Sequence, residues 1–154
     1  MLHLATGLLA PTAGTIAVLG QRPGCSPAQL AQVGFVAQDA PAYARLSVAG
    51  HLRMGAWLNQ NWDGDLAERR IAHLGLDMDQ RAGSLSGGQH AQLALTLAIA
   101  KRPRLLILDE PIASLDPLAR REYLQALMEF TAGHQVSVVM SSHLCPTWSA
   151  SATT

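Results

Sequence analysis

Leu105-Leu106-Ile107-Leu108 is a continuous apolar run that ends in the acidic pair Asp109-Glu110. Strands with one wet face alternate apolar and polar residues, so an unbroken run of this length fits a parallel strand covered on both faces. A buried parallel strand needs partner strands and helices on its two faces, which makes the chain an α/β structure. Apolar residues make up 49% of the 154 positions, enough for one core, and the length suits a single domain. Eleven basic and eleven acidic residues cancel. Bulk charge therefore offers nothing to nucleic acid, and Lys101-Arg102-Pro103-Arg104 reads as a solvated helix end and turn.

The remaining pattern alternates strands with helices. Leu2, Ala5, Leu8 and Leu9 lie at helical spacing before Pro11. Gly14 to Gly20 and Val33 to Gln38 read as strands, and Val136 to Met140 as the last one. From Ser47 to about Leu76 the character is helical, with Ser47 a cap and Leu66 to Leu74 amphipathic; Trp57 and Trp62 are expected to pack within this block. Ser86 caps a helix over Gly87 to about Lys101, and Asp116-Pro117 opens another in which Leu118, Tyr123, Leu124, Leu127 and Met128 are available for the core. Cys25 and Cys145 form no C-x-x-C, and the six histidines show no metal spacing. No apolar run reaches the eighteen or so residues that span a bilayer. From Cys145 to Thr154 no apolar period remains, so 145–154 is expected to be an unstructured tail.

Strand, helix, strand in this order places ligands beyond the carboxyl ends of the strands. Three groups of residues fall there. Asp109 ends a buried strand, where a phosphoryl-transfer site holds Mg²⁺, and Glu110 is then free to orient or deprotonate an attacking water. Ser86-Gly87-Gly88 opens a helix with bare backbone N–H groups and the positive end of its dipole, a place for a terminal phosphate. Gln38 and His143 each follow a strand. Each also has an ordinary reading: acids capping the next helix, a tight turn with an N-cap, a solvated loop amide, a hydrogen-bonded edge histidine.

Together the motifs are more specific. The chain resembles the ATP-binding subunit of ATP-binding cassette (ABC) transporters from about Leu2 to His143. Leu85-Ser86-Gly87-Gly88-Gln89 matches the family signature, Leu105 to Asp109 the Walker B strand with Glu110 as catalytic glutamate, and Ser114-Leu115-Asp116 the D-loop. Gln38 matches the Q-loop glutamine and His143 the switch histidine. The resemblance implies a P-loop NTPase-like, mainly parallel sheet with an inserted helical subdomain. It implies ATP and Mg²⁺ as ligands, with Asp109 and Gln38 on the metal and Glu110 and His143 catalytic. Gln38, Leu85 to Gln89 and Asp116 would then contact nucleotide. The implied partners are a second cassette, docked head to tail, and a transmembrane permease facing the helical block. The implied location is the cytoplasmic face of the membrane, and the overall likeness to single-cassette export systems favours export.

The departures are as informative. No G-x-x-x-x-G-K-[ST] phosphate loop occurs anywhere in the chain. After His143 the family pattern stops. The expectation is a partial, incomplete ATPase domain over 1–144, its helical subdomain at about 47–85, truncated at both ends, with Met1 an internal or miscalled start and a frame change near Leu144. Three functions follow: an ATP-hydrolysing transporter subunit, a degenerate cassette lending its signature in trans, or an inert fragment.

Overall fold

The computed structural model describes residues 2–38 and 42–141. In chain order these form α1 (Leu2–Ala5), α2 (Pro27–Ala31), β1 (Val33–Val36), α3 (Val48–Leu58), α4 (Gly64–His73), a 3₁₀ turn (Ala82–Ser84), α5 (Gly87–Ala100), β2 (Leu105–Leu108), α6 (Pro117–Gly133) and β3 (Ser137–Met140). The strands make one parallel sheet in the order β1-β2-β3. Leu105 sits level with Val33 and Ser137, and Leu108 with Val36 and Met140. The central strand is β2, as its apolar run requires: Leu106, Ile107 and Leu108 are at most 1% exposed.

Helix α5 carries the packing on one side of the sheet. Its Leu95 and Ile99 join Leu106, Leu108, Tyr123 and Phe130 in one cluster, while its Leu93 and Ala100 join Val48, Leu52, Ala67 and Ile71 of α3 and α4 in a second. A helix apolar around most of its circumference is stable only between two such neighbours. A third cluster, Val18, Val33 and Ile107, is backed by Leu2 and Ala5 of α1. Polar ties fix α4 against α5. The Arg70 guanidinium donates to Gln92 Oε1 at 3.1 Å and Thr96 Oγ1 at 3.3 Å, and burial lowers its pKa from the ordinary arginine value. Asp63 caps α4 by accepting the Leu66 N–H at 2.8 Å and pairs with Arg102, which also meets His134 at the end of α6.

The structure departs from the sequence pattern at several places. Gly14 to Gly20 forms no strand: Val18 and Gln21 exchange backbone hydrogen bonds across a tight turn in which Leu19 (φ 53°) and Gly20 (φ 76°) are both left-handed, and the run ladders with nothing else among the described residues. Helix α1 stops at Ala5 because Gly7 turns left-handed (φ 78°) against Pro23 and Gly24, where a Cβ would lie 2.9 Å from their backbone; Leu8 and Leu9 are exposed. Helix α2 was not anticipated, although Ser26-Pro27 is an N-cap followed by proline at the first helical position. Trp57 is 85% exposed rather than packed, whereas the Trp62 ring lies so close over Gly55 that a Cβ there would clash at 2.4 Å. Leu118 and Met128 face solvent, and Phe130 takes the core position on α6. The tail 145–154 lies outside the described residues.

The Leu66 N–H, followed by the Arg102 guanidinium, holds Asp63 below the usual carboxylate pKa. A lowered folded-state value contributes stability that is complete above the ordinary carboxylate pKa and is lost as pH falls through the lower, folded-state one. Urea melts between neutral pH and pH 3 should therefore show an acid-side loss that shrinks in Asp63→Asn.

Candidate functional site

Because Val36, Leu108 and Met140 are in register, the residues after them share one edge of the sheet. Gln38 follows β1, Asp109 and Glu110 follow β2, and Ser141 follows β3. The ladder runs one step past the strands on each side: Asp109 N–H donates to Val36 O at 2.8 Å, and Ser141 N–H to Leu108 O at 2.9 Å. Glu110 then leaves the strand in the left-handed region, φ 46°, which costs a residue with a Cβ roughly 1–2 kcal/mol. Pro111 contributes by disfavouring the right-handed helical region for the residue before it.

Side chains converge on this turn. The Ser141 hydroxyl donates to Asp109 Oδ1 at 2.7 Å and accepts the Glu110 N–H at 2.9 Å. Gln38 Nε2 makes a long contact, 3.5 Å, to Glu110 Oε2. Three predicted residues, Gln38, Asp109 and Glu110, are thus gathered into one cluster. Ser141 joins them without having been predicted. The register held the signal: one step beyond the pair Leu108 and Met140, Asp109 lies opposite Ser141.

The second group stands at the start of α5. Ser86 Oγ accepts the Gln89 N–H at 3.2 Å and Gln89 Oε1 accepts the Ser86 N–H at 2.9 Å, a reciprocal capping box. Ser86 and Gly87 are exposed, and among the described residues the Gly87 and Gly88 N–H groups have no hydrogen-bond acceptor. Leu85 is anchored against the α3 and α4 cluster. Asp116 caps α6, its Oδ1 accepting the Leu118 and Ala119 N–H groups at 3.0 Å each. Gln38, Leu85, Gly87, His90 and Ser114 line one cavity of about 420 Å³, and Ser86, Gly88, Ser114 and Asp116 line a neighbouring groove of about 410 Å³. Burial, and secondarily His51, pushes the His90 imidazole pKa down, favouring the neutral form. His143 lies outside the described residues.

The donors suit a hard cation. Asp109, Glu110 and Gln38 offer only oxygen ligands to a metal, and among the described residues no three His, Cys, Asp or Glu side chains form a metal cluster. That is the donor set of a Mg²⁺ that keeps waters and is shared with phosphates, and the residues present fit it. With exposed N–H groups at a helix start near by, the surface can meet an anionic phosphate end.

Two glycines in this motif have different reasons to be glycine. A Cβ on Gly88 would press on Ala119 Cβ at 3.0 Å, whereas one on Gly87 would meet nothing within 4 Å. Gly87→Ala is therefore expected to keep or slightly raise the melting temperature, and Ser86→Ala to cost about 1 kcal/mol through the lost cap. Thermal and urea unfolding of the two variants checks both.

Comparison with known proteins gives consistent findings. The family model described as ABC transporter matches residues 1–113. Over 93% of the chain, the sequence is 31% identical to the phosphonates import ATP-binding protein PhnC 1 of Haloquadratum walsbyi, covering 50% of that protein. It is 30% identical to the thiamine import ATP-binding protein ThiQ of Salmonella typhimurium, covering 63% of it, and 32% identical to the molybdenum import ATP-binding protein ModC of Escherichia coli, covering 42%, each again over 93% of the chain. Among solved structures, an ATP binding subunit of an ABC transporter superposes with a TM-score of 0.77 at 25% identity, over 93% of this chain and 62% of that one. The cbiO1 structure from Clostridium perfringens does so at 0.71 and 25%, over 92% and 61%. The chain thus spans about half of the first of these curated relatives and less than two thirds of the others. Its fold is P-loop NTPase-like, a partial version of the ABC ATPase domain with helices inserted between β1 and α5.

Proposed function

The chain belongs to the ABC transporter family, and from that premise we propose that it forms the γ-phosphate-handling part of an ATP-binding, ATP-hydrolysing cassette. The observation that carries this reading is the cluster of Gln38, Asp109, Glu110 and Ser141 at the carboxyl edge of the sheet. Glu110 orients or deprotonates the attacking water, and Gln38 contacts its carboxylate from the opposite strand. Asp109 and Gln38 would hold Mg²⁺, which when bound neutralises charge on the phosphate oxygens. His143, two residues after Ser141 in the sequence, is assigned to the γ-phosphate. The principal phosphate cradle must come from outside these 154 residues, since no Gly-rich loop ending in Lys-Ser/Thr occurs in them.

A specific observation favours a second reading, in which the chain lends only its signature to a second cassette. The Ser86 and Gly87 surface is exposed, the first N–H groups of α5 have no acceptor among the described residues, and the cap is complete without a ligand. In both readings the partners are a second cassette and a permease that engages the α3 and α4 block on the cytoplasmic face. Among the described residues no helix is long and apolar enough to cross a membrane. The three relatives are import proteins by name, which supports import over export.

The two readings separate in one assay. ATP hydrolysis by a full-length cassette is measured with and without this chain, and stimulation is expected. Ser86→Arg should remove it in both readings. Glu110→Gln should lower it by about a hundredfold or more if this chain supplies the catalytic base, and leave it unchanged if only the signature is lent. Absence of stimulation by folded wild-type chain contradicts both.

A further inference from the structure

In a parallel ladder successive N–H groups of the central strand point alternately to its two neighbours. Asp109 N–H goes to Val36 on β1, so the Glu110 N–H points toward β3. One step further along the register, the residue it meets is Ser141. The acceptor is the Ser141 side-chain oxygen, at the position where Glu110 adopts φ 46° and the chain departs. The same hydroxyl gives its single proton to Asp109 Oδ1 at 2.7 Å, a hydrogen bond strengthened when the carboxylate is ionised. With its proton committed there, the oxygen presents only lone pairs to Glu110. The direction of both bonds is thereby fixed.

We propose that Ser141 is a positioning residue: its hydroxyl replaces the last rung of the sheet, pins the left-handed backbone of Glu110 and orients the Asp109 carboxylate. Its other carboxylate oxygen, Oδ2, is left for a cation. Serine suits the place because a backbone carbonyl could accept from Glu110 but could not donate to Asp109. The functional weight of the proposal rests on the reading of Asp109 and Glu110 given above; the geometry does not, and it can be tested on nucleotide-free protein.

The test is residue-resolved amide hydrogen exchange on the full chain, wild type against Ser141→Ala and Ser141→Thr. Ser141→Ala should speed exchange at Glu110 by about tenfold, the worth of one hydrogen bond, while Leu106 and Ile107 stay within about twofold. Ser141→Thr, which keeps the hydroxyl, should return Glu110 close to wild type. The proposal is overturned if Ser141→Ala leaves Glu110 unchanged, or if it speeds all β2 amides alike, which marks Ser141 as an ordinary contributor to sheet stability. A failure here with intact stimulation in the hydrolysis assay removes the role of Ser141 alone. Success here with no stimulation leaves Ser141 in place and removes the ATP reading.

Discussion

The parallel register of β1, β2 and β3 is the constraint on which the site depends. A one-residue slip of β2 would exchange its two faces and move Asp109 away from Ser141 and the level of Val36. Burial of Leu106, Ile107 and Leu108 on both faces holds that register, because every alternative leaves apolar surface uncovered or N–H groups unpaired. The acidic pair is therefore positioned by the buried hydrophobic residues that precede it. Two further devices complete the placement: the left-handed turn at Glu110 and the hydroxyl of Ser141.

Helix α5 links the second half of the site to the first. It is buried between the sheet cluster and the α3 and α4 cluster, yet its first turn emerges at the surface with Ser86 and Gln89 capping one another. A cap made within the motif lets the first turn hold its shape while Gly87 stays open. Arg70 and Asp63 bind the inserted helices to α5 and to the residues after it through directional hydrogen bonds. Such ties add directional links to the apolar contact that already joins the two blocks.

Much of this was legible in the sequence where the signal was local and strong. The apolar run before Asp109, the Ser86 and Asp116 caps, and the helical block after Ser47 fold as their patterns indicate. The failures have physical causes. Val18 lies in a β-branched stretch, but a strand also needs a partner, and Gly14 and Gly20 turn the stretch aside. Trp57 and Met128 sit on exposed helix faces, which periodicity alone does not reveal. Ser141 was missed because a hydroxyl has no signature until the register puts it opposite Asp109. The motif residues were picked out by resemblance rather than by propensity.

The surface of Ser86 and Gly87 is proposed to meet an ATP held by the phosphate loop of a second cassette. Sedimentation velocity of the chain mixed with a full-length, hydrolysis-deficient cassette tests this proposal most directly. Association that requires ATP, and that is lost when the nucleotide is omitted, is the predicted result. Association indifferent to ATP, or none from a chain shown to be folded, would contradict it.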